Sequence, residues 1–373
     1  MIRLLTIDDY LISLLFFISC GFYTTLFGFS PVYILSLLAV FFSFYLVLKR
    51  FEFIFIRESS LLFFSFLPFI LGQFFRSNEL SNPINVNYII SILSYIFAAQ
   101  VIFRLGLKQY LKVIRVGNLF YFILLFSELF YRLSHPSDMK DMLEASDGLV
   151  FYAYKASSFM FKDSNAVGVL VLYIVFFNEF VFMHYRKHFS FKYIQIFRVL
   201  SIILVIGTLS RAAIASGIIG YVFLLYFTYP SFRYIFRLLL PFVFFSIIIT
   251  SINLVTGDSS GKHKVAEFEH MFQFLTFENV SIYDYFFGIG YGFGNEYTPT
   301  YIHTLPAKLV IEGGVLSSIF VFGFYFLVIL RDKLSLVMLA PVFICYLSFS
   351  VYVFVPFSLI FICMLQYKYY RIV

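Results

Sequence analysis

Charge is scarce in this chain and tryptophan is missing altogether. Only 13% of the 373 residues are Asp, Glu, Lys or Arg, against roughly 25% in soluble proteins. That deficit excludes a soluble globular fold and leaves no stretch long and polar enough to be a separate soluble catalytic domain. Without tryptophan, any aromatic belt at a membrane interface has to be built from the 29 tyrosines. The three cysteines, Cys20, Cys345 and Cys363, all fall inside apolar runs. They offer neither a disulfide framework nor metal-ligand spacing and read as small core residues. Internal repeats, heptads and low-complexity tracts are absent as well.

What the chain does have is apolar length. Hydrophobic residues make up 61% of it, with a mean hydropathy of +0.92, and apolar runs recur from end to end. The fold expected is a single all-α polytopic membrane domain over residues 1–373, with the lipid bilayer as its solvent. A crossing of about 30 Å needs about 20 apolar residues. On that ruler twelve spans are placed at Leu11 to Phe29, Val32 to Leu48, Leu61 to Phe75, Tyr88 to Phe103, Val116 to Phe130, Ala166 to Phe182, Val199 to Leu209, Ala212 to Phe227, Leu238 to Leu254, Leu305 to Leu330, Leu334 to Leu347 and Tyr352 to Leu365. Asp8 and Asp9 spoil the positive start of a signal peptide, so the first span is expected to be an uncleaved helix.

The net charge of +7 does not indicate a nucleic-acid partner, because the basic residues sit in short clusters between apolar runs. There they act as topology signals. With the N-terminus inside, 18 of the 27 basic residues are cytoplasmic, from Arg3 through Lys49, Arg104, Arg186, Arg233 and Arg331 to Arg371. Both termini are then cytoplasmic. Two acidic loops face outwards: residues 131–165, and a large external loop of about fifty residues, 255–304, between the ninth and tenth spans. Long loops of this kind usually carry function.

Arg211, in the stretch GTLSRAA from Gly207 to Ala213, is the strongest single clue to chemistry. Twelve residues separate it from Arg198, about 18 Å of helix, too little to cross the hydrocarbon core. Either Arg211 lies below the outer surface or Arg198 is drawn inward. A guanidinium at depth faces a cavity or a partner, and its fork suits phosphate oxygens; snorkelling at a helix end is the plainer alternative. After it, Ala212, Ala213, Ala215, Ser216, Gly217 and Gly220 form a small-residue face for close helix packing.

The chain re-enters apolar territory through His303, Lys308, Glu312, Gly313 and Gly314. Lys308 and Glu312 share a helix face and can pair, and His303 suits a general base or a phosphate contact as well as a helix cap. Pro306 fits a first helical turn, and the two glycines permit a kink. The GIGYGFG stretch from Gly288 to Gly294 follows no strand, so a dinucleotide fingerprint is rejected in favour of a flexible turn lining the outer mouth. Lys262, His263, Lys264 and His270 offer positive charge to an anion. Asn165 is placed to cap the sixth span or to meet a ligand. His184 and His188 read as interfacial rather than metal-binding, and Glu128 and Glu179 as isolated acids near span ends.

These features together resemble the bacterial O-antigen polymerase (Wzy-type) and O-antigen ligase superfamily. The likeness rests on the twelve spans, the large loop before the tenth, a Ser-Arg-Ala element (Ser210, Arg211, Ala212), a Gly-x-Gly element (Gly288, Gly290), and His303 followed nine residues later by Glu312, Gly313 and Gly314. It departs from the family where His303 is followed by Thr304 and not asparagine, and where the large loop holds no arginine, leaving Lys262 or Lys264 as point charges. The resemblance implies cofactor-free, metal-independent glycosyl transfer on the outer face of a bacterial inner membrane, with the large loop periplasmic. Donor and acceptor would be undecaprenyl-diphosphate-linked glycans, with a flippase and a chain-length regulator as further partners. Arg211 would receive the diphosphate with help from Lys262 or Lys264. His303 would serve the acceptor hydroxyl, with Glu312 and Lys308 in support. Asn165, Ser210, Gly288 and Gly290 complete the substrate-binding set. The sister activity, transfer of finished glycan to lipid A core, shares this architecture, and a polysaccharide flippase or transporter is a more distant rival.

Overall fold

In a bilayer the backbone has no water to bond to, so a chain of apolar runs must satisfy its amides within each segment, and the helix does this. The computed structural model describes residues 2–26, 30–65, 83–136, 152–155, 157–161, 164–237, 259–277, 280–298, 302–348 and 356–370. Among these residues every regular element is a helix and no strand occurs. Five described helices are long and apolar enough to cross a membrane: Pro31–Arg50, Leu107–Ser134, Ser164–His188, Arg211–Thr228 and Leu305–Arg331. Asn87–Ile102 and Lys333–Tyr346 are shorter apolar helices. The expected short span Val199 to Leu209 is the second half of a longer helix, Phe191–Gly207. The expected ninth span, Leu238 to Leu254, the latter half of the third, and residues 137–151 of the first acidic loop lie outside the described residues.

The chain divides into two compact units. The first comprises Met1–Ser59, Val86–Gly217 and Phe354–Val373. Its centre is the Ser164–Tyr185 helix, buried on every face from Ala166 to Phe182, which is why its apolar residues show no one-sided stripe. The helices Ile2–Ser19, Phe191–Gly207 and Pro356–Tyr370 pack around this unit's core. Phe17 sits edge-on to Tyr121 at 5.4 Å and to Phe361 at 5.3 Å. It fits because Gly117 faces it, where a Cβ would lie 2.1 Å from the Phe17 ring. Cys20 and Cys363 are buried here, as small core residues should be.

Several charged and polar side chains inside this unit are matched in pairs. Arg50, in the last turn of Pro31–Arg50, reaches Asp9 at 2.9 Å, so this pair of helices brings the end of one to the start of the other. Glu128 and Glu179, expected to be isolated, are both paired. Glu179 is fully buried and takes a two-pronged contact from Arg198, Nε and Nη2 each at 2.7 Å. Glu128 is bound by Arg132 one turn on, with both side chains about 1% exposed. The i,i+4 spacing of the second pair was visible in the sequence; the first required two helices to meet. Asn118 and Asn178 exchange amide hydrogen bonds of 2.6 and 2.9 Å between the Leu107–Ser134 and Ser164–Tyr185 helices.

The second unit comprises Ser60–Asn85 and Ile218–Val353. Its organising element is the Leu305–Arg331 helix, against which Ser259–Leu275, Ile282–Phe287 and Leu336–Tyr346 pack. Cys345 is buried in this unit.

The reciprocal amide pair is a testable lock. A double-mutant cycle of Asn118→Leu and Asn178→Leu, read by thermal unfolding in detergent, should give a coupling of about 0.6–2 kcal/mol. Each single change should destabilise more than the double, because it strands a buried amide.

Candidate functional site

The residues singled out by sequence fall into two groups, one in each unit. In the first unit the stretch from Gly207 to Arg211 is a break between two helices. Phe191–Gly207 ends there, Leu209 takes a left-handed conformation with φ 55, and Arg211 begins the next helix. A break of this kind frees carbonyl oxygens at a helix end that carries negative partial charge. The buried Arg132 supplies what they lack: Nη2 donates to Gly207 O at 2.6 Å and Nη1 to Thr208 O at 2.8 Å. Its guanidinium thus bridges a carboxylate and a helix C-terminus, satisfying both.

Ser210 holds the other side of the break. Its Oγ accepts from Ala213 N at 3.3 Å, capping the Arg211–Thr228 helix, and donates to Asn165 Oδ1 at 2.6 Å. Asn165 lies in the first turn of the Ser164–Tyr185 helix and binds Ser210 there, so both residues proposed as ligand contacts serve to fix this turn. The small-residue face packs as expected, with a Cβ on Gly168 falling 2.6 Å from Ala213 and one on Gly217 falling 3.1 Å from Val205. Arg211 itself is exposed at the first position of the helix. Arg198 pairs with the fully buried Glu179.

In the second unit the Leu305–Arg331 helix is broken at Gly314, whose φ 73 and ψ 171 are not helical. Carbonyls just before the break lose their places in the helical ladder. Ile311 O instead accepts from Ile289 N at 3.0 Å, and Glu312 O from Gly290 N at 3.1 Å. The Gly288 to Gly294 stretch is therefore no flexible turn. It is strapped across the break, with Ile289, Gly290 and Tyr291 buried. Two glycines are obligatory for this approach: a Cβ on Gly288 would lie 2.2 Å from Glu312 O, and one on Gly314 would lie 2.4 Å from Gly288 N, each at positive φ.

The Glu312 carboxylate anchors the strap. Oε2 accepts from Gly292 N at 3.0 Å, and the backbone of Gly294 donates to the same carboxylate. Lys308 Nζ stands 4.0 Å away, at the outer limit of an ion pair, with both side chains almost fully buried. Glu312 is held mainly by loop amides, and Lys308 adds the balancing charge. Beside it Tyr291 Oη meets Ser317 Oγ at 3.2 Å. Burial pushes the Tyr291 phenol up, so it remains a neutral hydroxyl.

The stretch expected to form the large loop packs on the broken helix. Met271 and Phe274 from Ser259–Leu275, with Ile289 and Ile302, pack on Ala307, Val310 and Ile311 in the first half of the broken helix. Lys262 is exposed on the Ser259–Leu275 helix, and Lys264 donates to Ser348 Oγ at 2.6 Å. His303 is exposed immediately before Thr304, the residue that precedes the broken helix. Glu267 Oε2 accepts from Thr304 N at 2.8 Å. The sequence reading passed over Glu267 and Arg132. Glu267 shares a helical stripe with Met271 and Phe274, and that spacing marks an acid on a buried face. Among the described residues no three His, Cys, Asp or Glu side chains converge as a metal site would need.

No family model and no curated protein matches this chain. Its chemistry has to be argued from these two groups of residues. One presents an exposed arginine at a helix start; the other presents an exposed histidine beside a buried, amide-bound carboxylate.

Gly314→Ala and Gly288→Ala should each lower the thermal stability of the purified protein by roughly 1–3 kcal/mol or more, because they combine left-handed backbone with direct clash. Gly323→Ala is the control. Among the described residues its Cβ would meet only Leu61, at 3.7 Å, and within a helix it should be neutral or stabilising by about 0.5–1 kcal/mol.

Proposed function

We propose that this chain polymerises lipid-linked oligosaccharide repeat units by glycosyl transfer on the outer face of a bacterial inner membrane. Twelve spans and cytoplasmic termini belong to this reading, as does a periplasmic loop from residue 255 to 304. The observation that carries it is Arg211, an exposed guanidinium at the first position of an apolar helix of membrane-crossing length. A helix N-terminus and a guanidinium both favour a phosphate-bearing group. Glycosyl transfer from a diphosphate needs a cation to receive charge as the anomeric C–O bond breaks.

The donor is a glycan on undecaprenyl diphosphate and the acceptor hydroxyl belongs to another such unit. The acceptor oxygen attacks the anomeric carbon, the diphosphate departs with the bonding pair, and the acceptor proton must be taken up. The resemblance assigns the leaving diphosphate to Arg211 and a second positive charge to Lys262 or Lys264, of which Lys264 is already engaged with Ser348. His303, exposed where the large loop re-enters a helix, is assigned to the acceptor proton. Glu312 and Lys308 hold the strap beside that helix and act as positioning residues.

One observation favours a transporter instead, since discontinuous helices often form substrate and ion sites in transporters. It is outweighed by how the break at Gly314 is used. The carbonyls of Ile311 and Glu312 accept from the amides of Ile289 and Gly290 and are thereby engaged within the protein.

Complementing a deletion strain and resolving its surface glycan on a gel tests the reading. Arg211→Ala should abolish the long ladder, a loss of at least about 100-fold, because a charged contact worth about 1.5–3 kcal/mol in binding is also needed as charge develops. Arg211→Lys should retain partial length, keeping charge without the fork. His303→Ala should also shorten the ladder. Retained single-repeat capping identifies the polymerase, whereas loss of all attached glycan identifies the ligase. A normal ladder from both alanine variants, at normal protein level, overturns the assignment.

A further inference from the structure

The start of the broken helix holds two polar atoms with nothing to bond. Thr304 occupies the cap position before Leu305, where a threonine normally spends its hydroxyl on a backbone N–H of the first turn. Here its side chain makes no such bond, Pro306 removes one of the available donors, and Thr304 Oγ1 is buried without a partner among the described residues. Glu267 is in the same condition. It is 1% exposed, its Oε2 is bound by Thr304 N at 2.8 Å, and its Oε1 is buried without a partner among the described residues. The backbone bond ties the two residues together, so the orphaned carboxylate oxygen and the orphaned hydroxyl belong to two residues in direct contact.

Buried polar groups are ordinarily satisfied, and two adjacent exceptions point to a missing occupant. The chemistry of the pair limits what that occupant is. An anion is excluded by the carboxylate. A structural metal lacks ligands, since no third His, Cys, Asp or Glu joins the cluster among the described residues. A carboxylate oxygen only accepts, whereas a threonine hydroxyl can donate, so together they complement a group that both donates and accepts. A sugar hydroxyl is such a group. His303, one residue earlier, is exposed, so the pair lies one residue from the surface.

We propose that Glu267 and Thr304 form a hydroxyl-binding subsite for the acceptor glycan, in which one sugar hydroxyl donates to Glu267 Oε1 and accepts from Thr304 Oγ1. This rests on the polymerase reading for the nature of the ligand, but not for the existence of the site. The subsite binds and orients; no bond is made or broken on it.

The test uses the full-length protein in lipid nanodiscs and the lipid-linked repeat unit extracted from a strain lacking this gene. Thr304→Val keeps the shape and the backbone bond to Glu267 but removes the hydroxyl. It should raise the half-saturating concentration of the extracted lipid about fivefold to tenfold, the loss of one hydrogen bond. Its unfolding temperature without lipid should equal or exceed that of the native protein, since a buried orphan is removed. Thr304→Ser should restore native saturation. The shift in unfolding temperature on adding the lipid, read on the same samples, should be smaller for Thr304→Val and for Glu267→Ala.

Native saturation and a native lipid-induced shift in Thr304→Val overturn the subsite and leave a buried water as the occupant. A Thr304→Val protein that melts lower than native without lipid also overturns it, by making the hydroxyl structural. A native shift without turnover, lost in Thr304→Val, keeps the subsite and removes the polymerase reading. Neither shift nor turnover in the native protein removes both.

Discussion

Every backbone amide placed away from water has to find a partner, and that single demand explains the most unusual features of this structure. Unbroken helices meet it automatically. The chain departs from unbroken helix twice among the regions that hold its chemistry, between Gly207 and Arg211 and again at Gly314. At each break the orphaned carbonyls are met from outside the helix, by the guanidinium of Arg132 in one case and by the amides of Ile289 and Gly290 in the other. A helix interruption is stable only where such a partner has been built in. The loop sequence GIGYGFG starts with a glycine because Gly288 must come within van der Waals distance of the backbone at Glu312 and Gly314.

The same accounting applies to charge. Removing a carboxylate or guanidinium from water costs several kcal/mol, and pairing returns most of it only when the geometry is good. Glu179 with Arg198, and Glu128 with Arg132, meet that condition through close contacts. Glu312 meets it differently, through loop amides at hydrogen-bond distance and a lysine at 4.0 Å. Such groups contribute specificity more than net stability: they define which helices meet and where the strap lies. Glu267 and Thr304 are bonded to each other, yet each keeps a buried polar atom without a partner among the described residues.

Much of the architecture was legible in the residues. Apolar length announced membrane-crossing helices, Pro306 announced a helix start, and the glycine pair announced a kink, which falls at Gly314. The i,i+4 spacing of Lys308 and Glu312 put them on one face. The spacing between Arg198 and Arg211 gave no means of finding Glu179, which pairs with Arg198 from another helix nineteen positions away. Ser210 and Asn165 have the side chains of ligand residues and the same side chains as a helix-capping pair. Local sequence offers no means of separating those roles, because both use the same hydroxyl and amide chemistry.

By itself, then, the sequence determined the class of the protein and the placement of its helix-starting and helix-breaking residues, since hydropathy, proline and glycine act locally and carry their physics with them. Tertiary structure alone decided which partners close each break: that Arg132 caps Gly207 and Thr208, that GIGYGFG is a strap and not a mobile lip, and that Glu267 sits under Thr304 with an oxygen to spare. Those outcomes depend on distances between groups far apart in the chain, and satisfying a buried polar group is a property of the assembled surroundings.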